Sequence, residues 1–149
     1  MKTVIFTLEG ALLRVGDEQT TLHKGVDELL PILRRLGVRL VAFGPGSEEA
    51  LSHLERLGAH GHFHHIATDN KLATSPRSDG LQILVNELQA LPHEVMIVGD
   101  RVADIILGKN AGIQKVIGVS HGQSTPEALR AAGADHVVHD IPAVLDVLG

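Results

Sequence analysis

Two acids in the second half of the chain stand one helical turn apart behind a glycine, in Gly99-Asp100-Arg101-Val102-Ala103-Asp104. Carboxylates at this spacing share a helix face. Their oxygens suit Mg²⁺, which is held by one or two carboxylates and keeps several waters. The same acids suit the first turn of a helix, where backbone N–H groups lack acceptors. Both roles stay open, and they are compatible. Near the start of the chain, Thr7 and Glu9 follow the apolar run Val4-Ile5-Phe6 and precede Gly10. A Thr hydroxyl is mostly un-ionised at neutral pH and needs an adjacent base to act as a nucleophile. Glu9 could be that base. The plain alternative, favoured here, is a strand end with Thr7 satisfied and Glu9 solvated. A third group is histidine-rich: His60, His62, His64 and His65. Histidine is the commonest metal ligand, and alternate strand residues share a face. With no cysteine in the chain and no acid cluster beside them, a solvated turn is the expectation.

The elements that must position these residues are short and alternate in type. Val4-Ile5-Phe6 is a bounded apolar run, rich in β-branched and aromatic residues, and reads as a buried strand. Ala11 to Arg14 and Gln19 to His23 flank Gly16-Asp17, a turn signal, and predict a small exposed hairpin near residues 11–23. Val26, Leu29, Leu30 and Leu33 fall at i, i+3, i+4, i+7, a helix face, with Pro31 expected to kink or delay that helix. Val38 to Phe43 reads as a second strand and Gly44-Pro45-Gly46 as a tight loop. Ser47 can cap a helix whose buried face is Ala50, Leu51, Leu54 and Leu57. A third strand lies around His65 to Thr68, and Asp69 to Arg77 is a polar loop. Ser78 or Asp79 starts a helix that buries Leu81, Leu84, Val85 and Leu88. Val95 to Val98 is a fourth strand, ending in Gly99-Asp100, with a helix from Val102 to Ala111 behind it. Val116 to Val119 is a fifth. Ser124 to Glu127 has capping-box spacing, His136 to Val138 is an edge strand, and Ile141 to Leu148 a closing helix. Strands alternating with helices imply right-handed crossovers and a mostly parallel α/β sheet. Polar residues at the end of such a strand, beside a glycine, lie where open α/β sheets bind their ligands.

Composition narrows the function classes. The 149 residues suit one compact domain spanning 1–149, with a net charge of −5 and 44% hydrophobic residues. No basic run marks a nucleic-acid binder. No segment approaches the ~18 apolar residues of a membrane span. The N-terminal apolar run is too short for a signal peptide. The absence of cysteine excludes disulfides and fits a cytoplasmic location. With three Phe and no Trp or Tyr, the core must be aliphatic.

Four stretches, in order and at the right strand ends, resemble the haloacid dehalogenase superfamily, in its phosphoglycolate-phosphatase-like branch. They are Phe6 to Leu12, against the family's strand and Asp-x-Asp-Gly-Thr-Leu; Val38 to Phe43 closed by Gly44, where the family has Thr or Ser; Ser75-Pro76, where the family has Lys; and the intact Gly99 to Asp104. Ala131 to Val137 resembles the tail of that branch. The resemblance implies a three-layer Rossmann-like sandwich. Its third, second, first, fourth and fifth strands lie side by side in that order, and a sixth strand can join at the edge. The family inserts cap domains after its first or second motif; the short stretches from Gly10 to Gly25 and from Gly58 to Ser75 predict that none is inserted here. It also implies that Thr7 stands where an Asp attacks phosphorus, that Glu9 stands at the acid/base position, and that Gly44 and Ser75 replace the groups holding the phosphoryl oxygens. Lys71, Arg77 and Arg101 are cations that could replace the lost Lys, though each reads first as a surface charge. Asp100 and Asp104 remain as a weak Mg²⁺ site.

The expectation is a phosphatase-related domain without efficient chemistry, acting by binding a phosphorylated small molecule or a protein partner. A phosphohydrolase with weak or altered activity is the alternative. A structural domain, self-associating as a homo-oligomer, is the third reading.

Overall fold

The computed structural model describes residues 2–8, 10–15, 20–44, 48–67, 80–121 and 124–148. The strands are β1 (Thr3–Thr7), β2 (Leu13–Val15), β3 (Thr20–Leu22), β4 (Arg39–Phe43), β5 (His65–Ala67), β6 (Val95–Gly99), β7 (Lys115–Val119) and β8 (His136–Val138). The helices are α1 (Val26–Arg35), α2 (Glu48–Arg56), α3 (Gly80–Glu87), α4 (Val102–Asn110) and α5 (Pro126–Ala131), with short 3-10 helices at His60–His62, Pro92–Glu94 and Pro142–Val147.

Six strands form one parallel sheet in the order β5-β4-β1-β6-β7-β8. This is the expected arrangement, with the sixth strand in place at the edge. β1 is buried at all five residues because both its faces are covered, as a central parallel strand requires. On one face Val4, Phe6, Leu40 and Val98 pack under α1, Leu54 of α2 and the C-terminal 3-10 helix. On the other, Ile5, Val41 and Ile97 pack under Leu81 and Leu84 of α3, Ile105 of α4 and Leu129 of α5. The result is three layers. All six positions Leu29, Leu33, Leu54, Leu84, Val98 and Ile105 are fully buried, each such side chain contributing about 1.5–3 kcal/mol. β2 and β3 pair antiparallel as a separate hairpin, Leu13 opposite Leu22.

Several local expectations need correction. Pro31 does not delay α1, which starts at Val26 and runs through it. Burying Val26, Leu29, Leu30 and Leu33 together outweighs the one backbone hydrogen bond a proline removes. The first hairpin strand begins at Leu13, because Ala11 and Leu12 belong to the turn: the Leu12 N–H donates to Thr7 and the Leu13 N–H to Leu8. The cap of α5 is Thr125, whose hydroxyl accepts from the Ala128 N–H at 3.1 Å, and Pro126 opens the helix; the Ser124 to Glu127 spacing was one residue early. Leu88 is only half-buried, since α3 ends at Glu87. The closing element is a 3-10 helix, Pro142–Val147. Ser47, Thr68, Ser78 and Asp79 lie outside the described residues, as do the side chains of Ala50 and Leu51.

Candidate functional site

The site grows out of three neighbouring strand ends. Thr7 pairs with Phe43, the last residue of β4, so Gly44 leaves the sheet beside it. Phe6 pairs with Val98 of β6, and Asp100 follows two residues later. The parallel sheet thus brings Thr7, Gly44 and Asp100 to one edge. After Thr7 the chain makes a tight turn closed by hydrogen bonds from Leu8 N to Phe43 O (2.9 Å), from Gly10 N to Leu13 O (2.8 Å) and from Leu13 N to Leu8 O (2.8 Å).

Two glycines make this packing possible. Gly10 has φ +109°, and a Cβ there would collide with the Asp100 carboxylate; only glycine holds that conformation without strain. Gly99 leaves room for the Asp104 side chain to fold back, Oδ2 lying 2.8 Å from where its Cβ would be. Asp104 Oδ2 accepts from the backbone N–H groups of Asp100 and Arg101, at 3.2 Å each. The helix-cap role is therefore visible for Asp104, while Asp100 is left to face the site.

Among the described residues, the buried side-chain oxygens without a hydrogen-bond partner are Thr7 Oγ1 and Asp100 Oδ1. Their residues are 6% and 2% exposed. The expectation of a satisfied strand end at Thr7 is thus corrected. Its hydroxyl is buried at the end of the sheet with no hydrogen-bond partner. Buried polar groups are nearly always paired, so such orphans ask for an explanation such as an ion or a water. The electrostatics agree. Burial raises the Asp100 carboxyl, with Arg101 pulling the other way. Burial and the Asp100 charge push Asp104 up to about 7. Among the described residues, Arg101 forms the ion pair with Asp100, its Nε 4.0 Å from Oδ1 and its side chain 48% exposed. A bound cation would add the positive charge that two buried, mutually repelling carboxyls favour. An oxygen-only set built on one free carboxylate fits Mg²⁺ in its water-rich form. Among the described residues no third acid or histidine joins them as a metal cluster.

Gly44 offers no hydroxyl, and its free space is limited. A Cβ there would lie 3.1 Å from the Leu8 Cβ and 3.3 Å from its Cδ1. Glu9, Lys71, Ser75 and Arg77 lie outside the described residues. The histidine-rich stretch is a turn before an edge strand. His64 and His65 are exposed and His62 half-buried, and His64 Nδ1 accepts from the Leu40 N–H at 3.1 Å, a structural task.

Sequence reasoning missed two residues at the site's rim, His23 and His121. Their rings stack at 3.5 Å between centroids with 10° between planes. His121 Nε2 donates to the Gly10 carbonyl at 2.9 Å. Burial, together with His121 and Arg14, pushes His23 down to about 4, and burial also lowers His121. Both are neutral at physiological pH. The signal available was each residue's place within two residues of a strand end; nothing in the sequence links the two.

A parallel sheet of this order, with Gly-Asp-x-x-x-Asp leaving the strand next to β1, is a Rossmann-like α/β frame. Residues 5–119 match the haloacid dehalogenase-like hydrolase family, and the chain belongs to it. It is 30% identical over 129 residues to the pyrophosphatase PpaX of Halalkalibacterium halodurans, covering 85% of this chain and 60% of that one. It is 28% identical over 123 residues to a phosphorylated carbohydrates phosphatase of Thermotoga maritima, covering 81% of this chain and 57% of that one. It thus spans about 60% of the length of these relatives. A haloacid dehalogenase-like family hydrolase from Streptococcus pneumoniae superposes with a TM-score of 0.86 over 100% of this chain and 99% of that one, at 15% identity, a likeness of fold. Among the described residues no helix is long and apolar enough to cross a membrane.

Proposed function

We propose that this domain binds a divalent cation and a phosphorylated small molecule at the carboxyl edge of its sheet, and hydrolyses phosphate esters weakly, by altered chemistry. The observation that carries the reading is the pair of buried, unpartnered oxygens, Thr7 Oγ1 and Asp100 Oδ1, at adjacent strand ends. That relatives over most of the chain are named as phosphatases favours residual hydrolysis over its complete loss. Asp100, with the Thr7 hydroxyl beside it, would hold Mg²⁺, which when bound supplies positive charge against the phosphoryl oxygens.

The residues also say why the chemistry is weak. A Thr at position 7 cannot form an aspartyl-phosphate, so water must attack phosphorus directly. Glu9, two residues on, is the acid nearest in sequence to take that water's proton. Gly44 offers the phosphoryl oxygens no hydroxyl, and Ser75 stands where the family resemblance places an ammonium. Losing a single preorganised donor costs about 10²–10³ in rate.

A second reading, binding without turnover of a phosphorylated ligand or a protein partner, draws on the same substitutions at positions 7 and 44. Steady-state phosphate release from p-nitrophenyl phosphate and from pyrophosphate separates the two. Weak hydrolysis predicts slow, Mg²⁺-dependent release that Asp100→Asn removes. Turnover near ~1 s⁻¹, inside the ordinary enzyme range, would refute the weak-chemistry reading. No release, with calorimetric binding of inorganic phosphate that requires Mg²⁺, would establish the second.

A further inference from the structure

His23 and His121 come from opposite ends of the domain and meet beside one carbonyl. His121 follows the end of β7, where Ser120 N is held by Val138 O at 2.9 Å. His23 follows the end of β3, its own N–H donating to Leu12 O at 2.9 Å and its carbonyl accepting from Val26 at 3.2 Å. The His121 ring reaches across 111 residues of sequence to the Gly10 carbonyl. The rings lie face to face at 3.5 Å. Gly10 is the residue whose backbone rests on the Asp100 carboxylate. A continuous line of contact therefore runs from β7, through the stacked rings and Gly10, to Asp100.

We propose that His121 and His23 are positioning residues: together they clamp the Thr7 to Gly10 turn, and with it the β2–β3 hairpin, against the end of β7, and so hold Gly10 on Asp100. The physical case is specific. The turn has its own backbone hydrogen bonds, but among the described residues the hairpin pairs with no strand of the main sheet. A two-stranded hairpin alone is marginal in water. The Gly10 N–H is used within the turn, donating to Leu13 O, while its carbonyl is bonded by the His121 ring, on which His23 stacks. Each ring then does something different. His121 supplies the donor, and His23 supplies a flat surface that fixes the donor's plane. Stacking neutral imidazoles avoids the repulsion two charged rings would suffer at this distance. The clamp deepens the proposed cation-site reading, because it sets where Asp100 sits relative to Thr7, yet it is measurable without any ligand.

Amide hydrogen exchange by NMR tests it on the purified domain, using His121→Phe, which keeps a flat ring and loses the donor, and His121→Gln, which restores a donor. Losing one such hydrogen bond should speed exchange at Gly10, Leu12 and Leu13 about three- to tenfold in His121→Phe. The amides of Val41 and Ile97 should not change, and His121→Gln should return the turn to within about twofold of wild type. Unchanged exchange in the turn, equal acceleration at Val41 and Ile97, or no rescue by Gln would each overturn the clamp. Calorimetry with MgCl₂ adds the link to the site: the dissociation constant should weaken in His121→Phe by the same factor as exchange rises. An unchanged constant would overturn that link. If wild type takes up no Mg²⁺, the cation-site reading fails while the exchange data still decide the clamp.

Discussion

Placing an acid at position 7 should make the stability of this domain depend strongly on a divalent cation. Thr7 is 6% exposed and its hydroxyl has no partner. A Thr7→Asp carboxylate would enter beside Asp100, which is 2% exposed and already raised by burial. Neighbouring strands lie about 4.8 Å apart, so two unit charges there repel by about 3 kcal/mol at an effective dielectric near 20. Without a cation, Thr7→Asp should lose about 2–3 kcal/mol of stability at neutral pH, part of the repulsion being relieved by proton uptake. With Mg²⁺ the sign reverses, since the added charge draws the ion. At about a hundredfold excess over its dissociation constant, a cation adds ~2.7 kcal/mol. Urea unfolding in EDTA and in MgCl₂ measures both limbs, and calorimetry gives the affinity directly. Hydrolysis should not recover fully, because Gly44 and Ser75 still leave the phosphoryl oxygens unsupported. If Thr7→Asp binds Mg²⁺ no better than wild type, Thr7 and Asp100 do not share a site and the geometry argued here is wrong.

Other outcomes follow from single features. Leu84 is fully buried between α3 and the sheet, so Leu84→Ala should cost about 2–5 kcal/mol, read as a lower urea midpoint; an unchanged midpoint would place α3 wrongly. Gly10→Ala should destabilise the domain by more than the ordinary ~1 kcal/mol of a point change, since it meets both a positive φ and the Asp100 carboxylate; tolerance of Ala would mean that Gly10 does not rest on Asp100. His23 falls from 6.5 to about 4 on folding. Between those values the unfolded chain binds more protons than the folded one, so stability from this group rises with pH, is complete above 6.5 and is lost towards 4. Discounted for partial exposure, the stability difference between wild type and His23→Phe should grow by about 1–2 kcal/mol across that window. A difference that stays flat with pH would show that His23 titrates normally.

The order of elements was legible because it rests on local periodicity. A helix face such as Val26, Leu29, Leu30 and Leu33 must be buried somewhere, whichever partner it finds. A bounded apolar run such as Val4-Ile5-Phe6 has few other fates. Gly99-Asp100 was legible as a site for the same local reason, a strand end meeting a helix start. Boundaries were less so. Pro31 argued against the helix that Leu33 and its neighbours required, and Thr125 took a cap that the Ser124 spacing also suited. Local preference there was settled by what packing buried.

By itself, then, the sequence determined the alternation of strands and helices, the parallel sheet, and that position 7 carries a hydroxyl and not a carboxylate. These are properties of single segments. Tertiary structure alone decided which oxygens went unpaired. Whether Thr7 Oγ1 is satisfied depends on what packs around it at the sheet's edge, and β4 and β6, which flank it, lie far away in the chain. It decided that Asp104 turns back onto the Asp100 and Arg101 N–H groups while Asp100 faces the site, a division of labour that two identical residue types cannot announce. It also decided that His23 and His121, unremarkable apart, would stack beside the carbonyl of Gly10. Pairing across 111 residues is fixed by sheet register and hairpin placement, and no local propensity encodes it.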